Sequence, residues 1–143
     1  MLAPDGGGGS EGFAGAASGI AAMQQNYVNL KGAVDSGQVS ITPDAATNAA
    51  KACRDQKDDF VRFRDQAQQL ARHAQSLKMG NCAEGTSLRS TFQNKAQGGQ
   101  NSAYDLFGQA AEIMENMAKT YEAAGKMYHE TDQANAQAFK GKM

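Results

Sequence analysis

Three observations predict an all-α protein. The chain is rich in Ala, Gln, Lys, Glu, Arg and Met, side chains that lose little rotamer freedom in a helix. Its two prolines, Pro4 and Pro43, leave the body of the sequence uninterrupted. Apolar residues recur at alternating steps of three and four over long segments, and nothing in the body alternates with the period of two that a half-buried strand requires. The expected architecture is a long antiparallel helical hairpin, about 43–79 and 87–139, broken near 97–101. An additional N-terminal helix over about 13–35 completes a helical bundle. Residues 13–140 are read as one helical domain and residues 1–12 as a Gly-rich flexible tail.

Each element has its own signals. In the first helix Ala16, Ile20, Met23, Tyr27, Leu30 and Val34 step 4-3-4-3-4, and "DSGQ" (35–38) ends it with Gly37 as a left-handed cap. "SITPDAATNAA" (40–50) is a start signal: Thr42 caps, Pro43 fits the first helical position and Asp44 complements the dipole. The seam of this second helix is expected at Ala49, Cys53, Gln56, Phe60, Phe63, Ala67, Leu70, Ala74 and Leu77, with the helix ending at Met79. "NCAEGTS" (81–87) reads as a turn, and the next helix as starting at Ser87 with Leu88 and Phe92 inward. Gly98-Gly99 breaks that helix, and Ser102 with Asp105 supplies a fresh N-cap.

The last segment is the most regular. Tyr104, Phe107, Ala111, Met114, Ala118, Tyr121, Gly125, Tyr128 and Asp132 step 3-4 throughout. A second apolar row, Leu106, Ala110, Ile113, Met117, Ala124 and Met127, widens the face beyond what one antiparallel partner needs. Either the first helix covers the excess or another chain does. Tyr104, Phe107, Ile113, Met114, Met117 and Tyr121 are therefore the candidate interface with a helical partner protein or a second copy. The second helix carries seven basic and five acidic residues and segment 102–140 three and six, a mild complementarity.

Familiar chemistry is missing from the pattern. His73 and His129 are isolated, Cys53 and Cys82 have no zinc spacing, and the Gly-rich runs follow no strand. "RDQKDDF" (54–60) reads as an ion-paired helix face. No catalytic residue, metal ligand or cofactor is expected, and no enzyme. A net charge of −1 gives no reason to expect nucleic acid. No apolar run approaches the ~20 residues that span a bilayer, so a membrane partner is not expected. No Lys or Arg precedes the apolar run 13–23, which lacks the positive region of a cleavable signal peptide; export, if any, is expected by another route. Cys53 reads as a small core hydrophobe and Cys82 as an exposed thiol. The two lie too far apart along a hairpin to form a disulfide.

"YHETD" places Tyr128 and Asp132 four residues apart near the end of a heptad-patterned hairpin. This arrangement resembles the substrates of actinobacterial type VII (ESX) secretion systems, leaderless helical hairpins with a Tyr-x-x-x-Asp/Glu export signal. Residues 43–143 carry the resemblance, together with the Gly-containing turn, Leu88-x-x-x-Phe92 and the Ala/Gln/Asn tail. The chain has no Trp, and "MGNCAEG" stands where small members carry Trp-x-Gly, so the likeness is to the secretion-associated group without that motif. The resemblance implies a protein cytoplasmic before export and secreted or surface-held after it. It further implies Tyr128 and Asp132 as the signal read by an export ATPase, and action through protein–protein contacts. The alternative is an intracellular coiled-coil adaptor that targets a larger toxin or effector for secretion.

Overall fold

A computed structural model describes residues 14–141. The tail expected over 1–12 and the first residue of the first helix, Phe13, lie outside the described residues. Four helices are present and, among the described residues, no strand: α1 (Ala14–Asp35), α2 (Pro43–Gln75), α3 (Ala83–Ala96) and α4 (Ala103–Gly141). The all-α class is as the sequence predicts. No described helix is long and apolar enough to cross a membrane.

Local chemistry explains most boundaries. Gly37, at φ +76°, closes α1 in a Schellman motif: Gln38 N–H donates to Ala33 O at 2.9 Å and Gly37 N–H to Val34 O at 3.1 Å. At the start of α2, Ala45 N–H donates to Thr42 Oγ1 at 3.3 Å, ahead of the dipole-complementing Asp44. Ser102 is fully buried and caps α4 by accepting Asp105 N–H on its hydroxyl at 3.3 Å. Between α3 and α4, Gly98 lies at φ +99°, and a Cβ on Gly99 would sit 2.6 Å from Asn94 O. Both glycines are needed there.

Three expectations need correction. Helix α2 ends at Gln75 rather than Met79, because Ser76 donates to His73 O through both its backbone and its hydroxyl, and Leu77 N–H turns back to Ala74 O. These tight i→i−3 bonds consume the carbonyls a further turn would use. Helix α3 starts at Ala83 rather than Ser87, with Cys82 as its N-cap: Gly85 N–H donates to Cys82 Sγ at 3.4 Å. Leu88 and Phe92, expected inward, are half exposed.

The seam of α2 also shifts by one residue at alternate positions. The rows that face inward are Ala46, Ala50, Cys53, Lys57, Phe60, Arg64, Ala67, Ala71 and Ala74, still stepping 4-3. Gln56, Phe63, Leu70 and Leu77 lie largely outside it. Reading by polarity skips Lys57 and Arg64, yet their aliphatic stems cover the seam while their charged ends reach out.

The described residues divide into two compact units, one made of 14–22 with 58–111 and the other of 23–57 with 112–141; α1, α2 and α4 each contribute to both. In the first unit, Phe107 packs against Phe60 and Phe63 with ring centroids 6.4 and 5.5 Å away. Arg64 lies 5.7 Å over the Tyr104 ring. These contacts run antiparallel along α2 and α4. In the second unit, Ala50, Cys53 and Ala118 form a buried cluster on which Met117 and Tyr121 pack. Burial pushes the Cys53 thiol up, in keeping with its reading as a core hydrophobe. Val34 of α1 is 1% exposed, and α1 faces α4 across a shallow depression lined by Tyr27, Val34, Asn116 and Thr120.

Arg54 ties the second unit together by pairing with both Glu115 and Glu122, and Lys57 Nζ reaches Glu115 Oε2 at 3.2 Å. These guanidinium and ammonium partners hold the Glu115 carboxyl below its usual range. A carboxylate whose folded pKa is depressed stabilises the fold above its unfolded value, and this contribution disappears as the pH falls through the folded value. Denaturation midpoints at about pH 6 and about pH 3 are expected to differ less in Glu115→Gln than in the parent chain. An unchanged difference would remove Glu115 from the acid response.

Candidate functional site

The distal part of α4 is set apart by where α2 begins. At Gly125 the two helices touch so closely that an added Cβ would lie 2.5 Å from Ala46 Cβ and 3.3 Å from Pro43 Cα. Pro43 is the first residue of α2, so α4 has no α2 surface to pack on beyond this point. Residues 126–141 continue the helix, and every one of them is exposed. The arm is about 24 Å long at 1.5 Å per residue. An isolated helix of this length is marginal, but this one extends a packed helix and bears no nucleation cost of its own.

Tyr128 and Asp132 lie at the base of this arm. Being i and i+4, they share one face with Cβ atoms ~5–6 Å apart. Tyr128 is 37% exposed, and Asp132 is exposed. Among the described residues neither the phenol nor the carboxylate has a hydrogen-bond or ion-pair partner. A carboxylate at a seam position is costly only when buried; here the seam has already run past its partner helix.

Both side chains line a half-open groove of about 500 Å³, which they share with Met127, Thr131 and Asn135 of α4 and with Gly37, Val39 and Ser40 of the α1–α2 connection. The Schellman cap of α1 carries those connection residues to the arm. Their share in the site is not legible in the sequence, where no local pattern links residue 39 to residue 128. Met127 stands in the second apolar row but gives no sign there of leaving the core.

The six interface candidates occupy different surroundings. Phe107 and Tyr104 make the ring contacts with α2 described above, Ile113 is buried, and Met117 and Tyr121 pack on the Ala50–Cys53–Ala118 cluster. Met114 is half-buried. A partner docking on these residues would have to replace contacts the chain makes with itself. His73 and His129 are both exposed, as is Cys82; both thiols are free. Among the described residues no group of three or more His, Cys, Asp or Glu is placed to hold a metal ion.

No protein-family model, curated protein or solved structure matches this chain.

Proposed function

We propose that this chain is exported by a type VII secretion system and acts outside the cytoplasm through protein–protein contacts, with Tyr128 and Asp132 as the address read by the export ATPase. The observation that carries this reading is the arm past α2: an aromatic ring and a carboxylate on one face of a helix, neither with a hydrogen-bond or ion-pair partner among the described residues. Such a pair offers an anchor for an apolar pocket and an acceptor for a cation, and both are reachable while the rest of the chain stays folded. Recognition without unfolding requires a signal beyond the packed helices, and the arm lies past Pro43, the first residue of α2. The groove formed with Val39 and Ser40 supplies a second wall, so the address is a folded surface rather than a linear tag.

The test is the partition of the full chain between cells and medium in an actinobacterial host with an active type VII system. Tyr128→Ala and Asp132→Ala are each expected to reduce the exported fraction at least about tenfold, the scale of losing a recognition hot spot. Far-ultraviolet circular dichroism is expected to remain close to that of the parent, because both side chains are exposed. Parent-level export of both variants would refute the address.

A further inference from the structure

We propose that the apolar trough between α2 and α3 is the docking site for an amphipathic helix of another protein whose apolar stripe is flanked by Asp and Glu. The trough lies wholly within the first unit, has a volume of about 540 Å³, and is walled by Ala67, Leu70, Ala74, Leu77, Phe92 and Ala96. Leu70 is 63% exposed, Leu77 41% and Phe92 48%, although each is a side chain that burial would favour by ~1.5–3 kcal/mol. An open apolar surface of this kind marks a contact with another molecule more often than an isolated exposed leucine does.

The size of the trough points to a helix. Ala67 and Ala74 are seven residues apart, two turns or about 10.5 Å along α2, with Leu70 between them, and Phe92 faces them from α3. A partner helix presenting apolar residues at successive three- and four-residue steps matches that length with its own two-turn stripe.

The charge around the trough identifies the flanks. Its ionisable wall residues are His73 and Lys95. Segment 66–98, which carries the trough, holds Arg72, Lys78, Arg89 and Lys95 against a single acid, Glu84. Earlier in α2, Lys51, Arg54, Lys57, Arg62 and Arg64 all have carboxylate partners. Among the described residues Arg72, Lys78, Arg89 and Lys95 have none, and Arg89 Nε is buried without a hydrogen bond. Positive charge without a carboxylate partner is thus concentrated in the segment that carries the apolar walls, with Lys95 on the wall itself. A second copy meeting this face with its own would bring two basic rims together, which disfavours self-association there.

The experiment uses the full chain and two synthetic peptides of about 18 residues, five helical turns, with the same leucine stripe. One has Glu on both flanks of the stripe and the other has Lys; binding is read by fluorescence anisotropy. The Glu-flanked peptide is expected to bind at least about tenfold more tightly, with the advantage shrinking as salt is raised. Leu70→Ser, a change at a mostly exposed side chain, is expected to weaken that binding at least about tenfold with the circular dichroism unchanged. Lys95→Glu leaves the apolar walls intact and is expected to narrow or reverse the preference between peptides. Equal affinities, binding of neither peptide, or full binding by Leu70→Ser would overturn the proposal. So would self-association that Leu70→Ser abolishes, which would assign the face to a second copy. Because the trough shares no residue with the Tyr128–Asp132 groove, its failure would leave the export reading untouched.

Discussion

Replacing Gly125 with leucine is expected to destabilise the fold by about 1–3 kcal/mol, the usual cost of forcing a side chain into a closely packed contact. Helix propensity pulls the other way, since leucine is favoured over glycine inside a helix by ~0.5–1 kcal/mol. Sterics win because the obstacle cannot move aside. The added Cβ meets the Ala46 methyl and the Pro43 backbone, and neither has a rotamer to change. For a chain of 143 residues the loss corresponds to roughly 2–4 °C in Tm for each kcal/mol. Gly32 in α1 is the control: a Cβ there meets nothing within 4 Å, so Gly32→Ala is expected to stabilise by about 0.5–1 kcal/mol. Thermal unfolding of the two variants is therefore expected to shift in opposite directions. Leucine at 125 with no loss of stability would mean that the crossing of α2 and α4 is looser than the geometry here.

Inserting one alanine between Glu130 and Thr131 is expected to abolish export while leaving stability nearly unchanged. A helix turns ~100° per residue, so the insertion widens the angular separation of Tyr128 and Asp132 from about 40° to about 140°. It also carries Thr131, Asp132 and Asn135 away from the groove they share with Val39 and Ser40. No residue from 126 to 141 is buried, and exposed changes of this kind usually move stability by less than ~0.5 kcal/mol. The same insertion within 106–118 would misplace buried residues of α4 and unfold the chain. Export that tolerates the insertion at 130 would show that the two residues are not read as one surface.

The sequence reveals caps and periods well because these are local. Thr42-Pro43, Gly37, the Gly98-Gly99 break and Ser102 all act through bonds within a few residues of themselves. It is a poorer guide to which of two adjacent rows faces inward. On α2 the apolar Phe63 and Leu70 look more like core than Lys57 and Arg64, yet the inner positions are held mainly by alanines and by the stems of those two cations. An alanine-rich interface lets helices approach closely and leaves larger side chains on the flanks, which produces the exposed trough. The start of α3 was hidden for another reason: cysteine rarely serves as an N-cap, so "NCAEG" looked like turn rather than helix. Tyr128 and Asp132 were legible as a pair from their spacing, but the connection residues beside them were not.

The most direct measurement is a comparison of Asp132→Asn with Asp132→Glu in the export assay, alongside the unfolding temperature of each purified chain. Asparagine keeps the shape of the side chain and removes its charge; glutamate keeps the charge and lengthens the stem. Retention of Asp132→Asn in the cells, export of Asp132→Glu, and parent-like unfolding of both are the expected results. Parent-level export of Asp132→Asn would contradict the central claim that the carboxylate on the free arm is what the export machinery reads.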